Sequence, residues 1–509
     1  MLSSRGSGIL LHVSSLPSPF GIGDLGEGAY RFVDFLIEAG QNFWQILPNH
    51  FTVPYYDHSP YMSISAFAGN PLFISPELLF QKGLLRRTDL EIPSPFPEGR
   101  VDYSRVMAFK EKILTIAWRR FTERPQKNMG RQWERFCSDN DDWLNDFALF
   151  VALHTRFHRQ NWSDWPRGIR DRRMDDLRSA EKELFKEIKR EKFRQFLFFN
   201  QWESLKKYCN DRKILIIGDM PLYVGHDSAD VWSHPVLFHL DKKKKLSVVS
   251  GVPPDSYSKT GQLWGHPLYR WDELKKTGYD WMIRRMTHHL KRSDVVRIDH
   301  FRGFVNYWEV PAAEKTAMRG RWVEAPAVDF FTHLIARIPE PSIICEDLGV
   351  SPPDFRQVMV RFKFPGMKVL LFAFGKDLPG NPHAPHHHTA NCVVYTGTHD
   401  NNTIRGWYTK DATSRDRLRL SRYLGKKISL GELHWDVMRL AMMSVADIAI
   451  FPMQDILGLG EEARMNHPGT VTGNWTWRLP AGRLTPRLAR RLMKMTTLYG
   501  RGGQSEGGG

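Results

Sequence analysis

Short runs of apolar residues recur along the chain, and each is bounded by turn residues or by the start of a helical pattern. The runs are almost continuously apolar rather than alternating, which is typical of parallel strands that are covered on both faces. Eight such runs follow one another: SGILLHV, NFWQILP, KILIIGDM, DVVRIDHF, SIICEDL, KVLLFAF, CVVYTGT and ADIAIFPM. Eight buried strands interleaved with helices predict an α/β fold of the (β/α)8, or TIM barrel, type.

Helical patterns occupy the segments between these runs. Residues 27–40 have an apolar stripe and end at Gly40, a residue suited to the left-handed conformation that follows many helices. In residues 351–362, Ser351 is the expected N-cap and Pro352 the expected first helical residue. Two further segments have helical spacing, residues 279–293 and 431–445.

Two intervals between predicted strands are long enough to hold insertions. Residues 49–212, between the second and third strands, contain three amphipathic segments and are expected to form an inserted, mainly helical subdomain. Residues 221–278 are rich in glycine, proline and aromatic residues and are expected to form loops over the active-site face. The catalytic barrel then spans residues 1–500, and the glycine-rich tail, residues 501–509, is expected to be disordered.

Composition and charge narrow the class of protein. The chain is 41% hydrophobic and 25% charged, as in water-soluble globular proteins. Its net charge of +16 is compatible with nucleic-acid binding, but the basic residues cluster where solvated helices and turns are expected, and no nucleic-acid-binding motif accompanies them. We therefore expect no nucleic-acid partner.

The cysteines and the N-terminal residues bear on the cellular compartment. Four cysteines are scattered without CxxC spacing, which argues against a disulfide framework and against a zinc site. The first apolar run is too short for a signal peptide, and none approaches the length of a membrane span. We expect a cytoplasmic protein with no membrane partner.

Acidic residues stand at the ends of four predicted strands. Asp219 ends the third, Asp299 the fourth and Glu346-Asp347 the fifth, while the seventh leads into His399-Asp400. In a TIM barrel the carboxyl ends of the strands carry the catalytic groups. A salt bridge could explain any one of these carboxylates, but four buried ones are better explained by a shared site.

Converging carboxylates with aromatic residues nearby and no metal-ligand pattern indicate chemistry on a glycosidic bond, which requires a nucleophile or base and a proton donor. Arg297 lies two residues before Asp299, so both side chains face the same way in a strand, and the guanidinium is expected to keep Asp299 ionised. Glu346 has no basic neighbour in sequence, and a carboxyl held beside other carboxylates should have a raised pKa, which suits Glu346 to acid–base catalysis. This chemistry needs no cofactor.

The chain resembles glycoside hydrolase family 77, the amylomaltases or disproportionating enzymes, which are 4-α-glucanotransferases. The matching stretches run from the N-terminus to NWTWRL, near residue 479, and their combination is specific. They are GILLHVSSLPSPFGIGDLG, SPYMSISAFAGNPLFI, IIGDMPLYVGHDSADVW, GVPPDSYSKTGQLWGHPLY, VVRIDHFRGF, IICEDLGV, FPGMKVLLFAF, VVYTGTHDNNT and QDILGLGEEARMNHPGT.

The resemblance implies a role for each matching residue. Asp299 matches the nucleophile, Glu346 the general acid and base, and Asp400 a third carboxylate that grips sugar hydroxyls. It further implies sugar contacts by Asp219, Arg297, His399, Ser59, Tyr61, Asp255, Gln262, Trp264 and Asn466. The reaction implied is retaining transfer between maltooligosaccharides, amylose, glycogen or starch-type α-1,4-glucans, with the two catalytic carboxyls roughly 5–5.5 Å apart. The GVPPDSYSKTGQLW loop is the expected lid.

Several alternatives stay open at this stage. An α-1,4-glucan hydrolase would use the same carboxylates, and a barrel that only binds glycans or nucleic acid would use none of them. GIGDLG, residues 21–26, fits a dinucleotide-binding pattern but is better explained as a tight turn, and the consecutive histidines of HAPHHH cannot all point toward one metal. The chain departs from the family pattern at Asn49-His50-Phe51-Thr52, His266 and Cys345, which bears on subsite preference.

Overall fold

The structure is a computed structural model that describes residues 5–124, 127–255, 258–349 and 353–502. In chain order its strands are β1 (Gly6–Leu10), β2 (Phe43–Gln45), β3 (Leu215–Pro221), β4 (Val248–Val252), β5 (Gln262–Pro267), β6 (Val295–Asp299), β7 (Asn306–Pro311), β8 (Arg321–Glu324), β9 (Ile343–Cys345), β10 (Gly366–Val369), β11 (Cys392–Tyr395) and β12 (Ile448–Pro452).

Eight of these strands close into a parallel barrel in the order β1-β12-β11-β10-β9-β6-β3-β2. Each of the eight apolar runs overlaps one barrel strand, so the predicted TIM barrel is confirmed. For the run KVLLFAF the predicted extent of the strand is wrong, because the strand ends at Val369 and Leu370–Phe372 form a 3-10 turn. The Val369 N–H donates to His383 Nδ1 at 3.1 Å, which is consistent with the strand ending there.

The helices lie between and around these strands. They span Glu27–Glu38, Pro76–Gln81, Tyr103–Glu123, Lys127–Asp139, Asp141–Arg156, Arg167–Arg170, Met174–Glu183, Phe185–Asp211, Ala229–Ser233, Trp271–Lys276, Asp280–Arg292, Ala327–Arg337, Pro353–Phe362, Ile404–Gly406, Ser414–Leu424, Leu433–Met443, Met453–Ile456 and Pro486–Leu498, with a π-helical turn at Trp407–Asp411. The four predicted helices are present, and Gly40 has the expected positive φ of 67°. Ser351 and Pro352 lie outside the described residues.

Helices fill most of the interval between β2 and β3, as its amphipathic segments predict. Their contacts are largely aromatic: the Phe121 and Phe193 rings stack at 4.5 Å, and Trp143 meets Phe199 edge-on at 6.0 Å. Such ring pairs stabilise packing beyond the area that they bury. The division of the chain into a barrel and an inserted subdomain at residues 49–212 stays an interpretation.

The interval 221–278 is more ordered than the loops expected for it. It contains β4 and β5, which join β7 and β8 in an antiparallel sheet of order β5-β4-β7-β8. These strands lack a continuous apolar run because β5 is only partly buried and Gly251 and Gly265 interrupt the pattern. The partner strand β7 lies beyond β6 in sequence, so local pattern could not predict the pairing.

The tail expected at residues 501–509 begins with a buried residue, so the prediction is wrong at Arg501. Its side chain is fully buried and donates to main-chain carbonyl oxygens, among them those of Gly6 at 3.0 Å and Ser444 at 2.8 Å. Because these carbonyls come from β1 and from the turn before β12, Arg501 joins the two ends of the chain at the base of the barrel. Residues 503–509 lie outside the described part of the chain.

Candidate active site

The strand-end carboxylates are brought together at the mouth of the barrel. Asp219 in β3 pairs in register with Arg297 in β6, and β6 in turn pairs with β9, which Glu346 follows. The main-chain N–H of Glu346 donates to the carbonyl of Ile298 at 3.0 Å. The barrel therefore places Asp299 and Glu346 at the ends of adjacent strands, as the sequence predicts.

Arg297 links two of these carboxylates. Its guanidinium donates through Nη1 to both oxygens of Asp219, at 2.7 and 2.9 Å, and through Nη2 to Asp299 Oδ1 at 2.9 Å. The side chains of Arg297 and Asp219 are almost completely buried, whereas that of Asp299 is 30% exposed. Charge-assisted bonds of this geometry are strong and fix orientation. Asp219 therefore anchors the guanidinium, and Asp299 is the carboxylate that faces the open mouth.

Glu346 is held by main-chain N–H groups. Its Oε2 accepts from the N–H of His300 at 2.9 Å, and its Oε1 accepts from the N–H of Leu348 at 2.7 Å. His300 directly follows Asp299 and has a positive φ of 50°, a conformation that non-glycine residues adopt only under local constraint. The turn at His300 thus directs its main-chain N–H toward the Glu346 carboxyl, next to the end of the strand that carries Asp299.

The two carboxyls differ in their electrostatic surroundings. Burial and the neighbouring Asp299 raise the pKa of Glu346 to about 8, which confirms the predicted direction. Burial also raises the pKa of Asp299, and Arg297 opposes this rise without reversing it. The expectation that Arg297 fixes the ionisation of Asp299 is therefore only partly correct. Since the guanidinium bonds directly to Asp299, Glu346 is the carboxyl that retains a proton more readily.

Asp400 belongs to a second group of polar side chains across the mouth. Its Oδ1 accepts from Asn466 Nδ2 at 2.6 Å and lies 3.4 Å from His399 Nε2. The Tyr61 ring stacks on His399 at 5.0 Å, and the Tyr61 hydroxyl donates to Asp219 Oδ2 at 2.6 Å. Tyr61 therefore joins the Asp400 group to the Arg297 group.

Trp264 reaches the site from the antiparallel sheet. Its ring meets His300 edge-on at 4.7 Å, and its Nε1 donates to Gln262 Oε1 at 3.2 Å. The ring thus lies beside the turn that holds Glu346.

Two further predicted sugar contacts make local hydrogen bonds. Ser59 lies close to Tyr61, since its Oγ accepts from the N–H of Tyr61 at 3.3 Å. Asp255 caps its own turn by accepting from the N–H of Ser258 at 2.7 Å, so its bond there is local.

Two neighbours of the site were not singled out from the sequence. Trp475 lies 5.9 Å from the His399 ring and 5.8 Å from the Tyr61 ring, and the NWTW stretch that contains it was the available signal. The main-chain N–H of His300 has no sequence signal, because its role depends on the backbone turn alone.

The residues that depart from the family pattern lie near the mouth or behind it. His266, in β5, stacks on Tyr223 at 5.9 Å, while His50 packs edge-on against His289 at 5.2 Å. Cys345 is fully buried inside the barrel wall. Of the three, His266 is the one whose strand also carries sugar-contact candidates.

The HAPHHH histidines diverge in the structure. His388 Nδ1 is hydrogen-bonded to Ser444 Oγ at 2.7 Å, whereas His386 Nδ1 is hydrogen-bonded to the Tyr423 hydroxyl at 3.0 Å. Across the described ranges, no three His, Cys, Asp or Glu side chains come together as ligands for a metal ion. Within the same ranges, no helix has the length and apolar character needed to cross a membrane.

Comparisons with known proteins show the family to which the chain belongs. The family model described as 4-alpha-glucanotransferase, of glycoside hydrolase family 77, matches residues 11–485. A 4-alpha-glucanotransferase of Synechocystis sp. is 46% identical over 98% of this chain and 99% of its own, and one of Thermus thermophilus is 46% identical over 96% and 98%. A chloroplastic/amyloplastic 4-alpha-glucanotransferase of Solanum tuberosum is 42% identical over 98% of this chain and 86% of its own.

A solved structure of an amylomaltase is also similar to this chain. The amylomaltase from Streptococcus agalactiae in complex with acarbose superimposes with a TM-score of 0.94 at 37% sequence identity, covering 98% of this chain and 100% of that one. The similarity therefore extends over the barrel, the helices between β2 and β3, and the antiparallel sheet.

Proposed function

The chain belongs to the 4-alpha-glucanotransferases of glycoside hydrolase family 77, and from that premise we propose that it transfers α-1,4-glucan segments between maltooligosaccharides by a retaining, two-step mechanism. One observation carries the assignment of roles. Asp299 accepts a hydrogen bond from a guanidinium, whereas Glu346, just after the adjacent strand, accepts only from main-chain N–H groups in the hydrogen bonds described above, and burial beside Asp299 raises its pKa to about 8. The pair therefore divides into an ionised and a protonated carboxyl.

In the first step Asp299 attacks the anomeric carbon of the donor glucan. The bond between that carbon and the glycosidic oxygen breaks, and Glu346 gives its proton to the departing oxygen. The raised pKa of Glu346 keeps that proton available at neutral pH. The product is a glucanyl ester on Asp299 and a shortened glucan with a new hydroxyl end.

In the second step the ionised Glu346 takes a proton from the hydroxyl of an acceptor sugar. That oxygen attacks the anomeric carbon, the ester bond to Asp299 breaks, and both carboxyls return to their starting states. We assign Asp400 to grip sugar hydroxyls where the ring is distorted, supported by its bond to Asn466 and its closeness to His399. Two inversions at one carbon retain its configuration.

Transfer exceeds hydrolysis only where a sugar displaces water from the intermediate. We assign this sheltering to the β4–β5 hairpin, supported by the position of Trp264 beside His300. Ser256 and Tyr257, between β4 and β5 in the sequence, lie outside the described residues. Replacing Trp264 by Ala should lower the ratio of transfer to hydrolysis severalfold, measured as chain redistribution against new reducing ends. An unchanged ratio would remove the hairpin from that role.

The proposed substrates are maltooligosaccharides, amylose, glycogen and starch-type α-1,4-glucans, and the proposed location is the cytoplasm. The α-1,4-glucan hydrolase alternative is not favoured, since the curated relatives cited above are transferases.

Incubation with maltotriose alone tests the proposal. Free glucose together with a ladder of longer maltooligosaccharides is the expected result, and Asp299→Asn should abolish it. Asp175→Asn, an exposed carboxylate on the helix Met174–Glu183, is the matched control and should leave the ladder intact. Glucose and maltose alone, with reducing ends rising steadily, would contradict transfer, and no reaction at all would contradict the substrate assignment.

A further inference from the structure

We propose that Asp455 is a positioning residue for the transfer reaction, because its carboxylate holds both ends of the segment 396–404 that carries His399 and Asp400. This inference rests on the proposed function, since it requires Asp400 to act on the sugar. Asp455 was not among the residues that the sequence suggested for the site, although it lies in the matching stretch QDILGLG.

One carboxylate bridges the two ends of the segment. Asp455 follows β12 in the short helix Met453–Ile456 and is 1% exposed. Its Oδ2 accepts from the hydroxyl of Thr396, directly after β11, at 2.7 Å. Its Oδ1 accepts from the main-chain N–H of Ile404, where the next helix begins, also at 2.7 Å. A single side chain, placed just after the neighbouring strand β12, therefore bridges the two ends of the segment.

A small space borders this segment. It has a volume of about 30 Å³ and is lined by His399 and Thr403 from the segment and by His12 and Asp455. A space of that size admits water-sized molecules but no sugar ring. Asp455 thus borders the same space as the segment that its carboxylate bridges.

The apex of the segment is held separately. Arg464 Nη2 donates to the carbonyl of Asp400 at 2.8 Å, and the N–H of Asn466 donates to the carbonyl of His399 at 3.1 Å. Asp455, Arg464 and Asn466 all follow β12 in the chain. The residues after β12 therefore support both the base and the apex of the loop that carries Asp400.

Placing this carboxylate is energetically expensive. Burial raises the pKa of Asp455 to about 6, and the bonds from Ile404 and Thr396 offset only part of that rise. An apolar side chain would fill the position without the desolvation cost of a buried charge. The two hydrogen bonds are therefore the best explanation for a carboxylate here.

Substitution of Thr396 isolates the bridge without touching a reacting group. Thr396→Val keeps the shape but removes the hydroxyl donor, and we expect kcat for maltotriose disproportionation to fall at least tenfold while KM changes less, since small displacements of a catalytic loop are costly. Thr396→Ser keeps the donor and should stay within threefold of the wild type. Thr496→Val is the matched control, because Thr496 is also fully buried but lies at the base of the barrel, where its hydroxyl accepts from Gln41.

Additivity separates positioning from a general loss of stability. If Thr396 acts through Asp400, then Thr396→Val should reduce kcat far less in an Asp400→Asn background than in the wild type. Asp455→Asn provides a second variant should Thr396→Val fail to fold, and it should show the same non-additivity. Full additivity, or a Thr396→Ser variant as impaired as Thr396→Val, would overturn the inference.

The role of Asp400 and the role of Asp455 can be contradicted separately. Wild-type kcat in Asp400→Asn itself would contradict the role proposed for Asp400 and with it this inference. An impaired Asp400→Asn together with unimpaired Thr396→Val and Asp455→Asn would contradict the positioning role of Asp455 alone.

Discussion

Two buried arginines, one at each end of the barrel, are paired in opposite ways. Arg297 at the mouth donates to the carboxylates of Asp219 and Asp299. Arg501 at the base donates to main-chain carbonyls, such as those of Met442 at 2.9 Å and Ala446 at 2.8 Å. Both side chains are almost fully buried, so both bear the desolvation cost of a charge.

The surroundings shift the pKa values of the two guanidinium groups in opposite directions. Burial lowers the pKa of Arg297, but Asp219 and Asp299 outweigh burial and raise that pKa well above its usual value. Burial and the neighbouring Arg5 lower the pKa of Arg501. At the mouth, then, charge is balanced by charge that can act on a substrate. At the base, main-chain carbonyls accept from the guanidinium, and the charge of Asp447 opposes the lowering of its pKa.

The largest effect is expected from Arg297→Met. Without the guanidinium, Asp299 loses the group that opposes its raised pKa, and Asp219 is left buried beside the Tyr61 hydroxyl. We expect specific activity per folded molecule to fall on the order of 10³-fold, as for loss of other preorganised charges in active sites. Disproportionation assays corrected for folded fraction measure this. Activity within tenfold of the wild type would place Arg297 outside the catalytic machinery.

Arg501→Met should lower stability and leave activity unchanged. Several buried carbonyls lose a charged donor, so the free energy of unfolding should fall by about 3 kcal/mol, the size expected for hydrogen bonds to a buried charge. Specific activity of the folded fraction should not change. Denaturant titration measures the loss, with Arg483→Met, an exposed arginine near the C-terminus, as control. An equal loss in both variants would show that the buried contacts of Arg501 contribute nothing.

A change of pH should act on the mouth of the barrel through Glu346, with a smaller effect on activity than Arg297→Met. Glu346 must be protonated for the first step, so kcat/KM should fall about tenfold per pH unit above about 8. In Glu346→Gln this decrease at high pH should disappear, measured with a donor whose leaving group needs no acid.

The raised pKa of Glu346 also means that the folded state binds an extra proton, so the free energy of unfolding falls as pH rises from 4.5 toward 8. Glu346→Gln should therefore melt at a higher temperature than the wild type at pH 8. A lower melting temperature would contradict the raised pKa.

The local sequence pattern was sufficient to predict the barrel and the strand ends at which its carboxylates come together. Buried parallel strands leave continuous apolar runs, and a carboxylate such as Asp299 at the end of such a run stands out against them. Arg297 was found because a spacing of two residues fixes a shared face in a strand. These inferences depend on neighbours in sequence.

Features that depend on distant pairing were not accessible in the same way. The β4–β5 hairpin is completed by β7, which lies on the other side of β6 in the chain. Arg501 looked like the start of a disordered tail because its partners are carbonyls, which every residue has. Asp455 acts on a segment about 50 residues earlier, and Glu346 meets the N–H of His300 only after β6 and β9 pair.

The central claim is that Asp299 forms a covalent glucanyl intermediate which Glu346 helps to resolve. The direct measurement is peptide mass spectrometry of Glu346→Gln after incubation with α-maltosyl fluoride, whose leaving group needs no proton donor, so that the first step proceeds and the second stalls. The account predicts a maltosyl adduct on the peptide that contains Asp299, absent from Asp299→Asn. An adduct on another residue, or turnover of the fluoride with inverted configuration and no adduct, would contradict it.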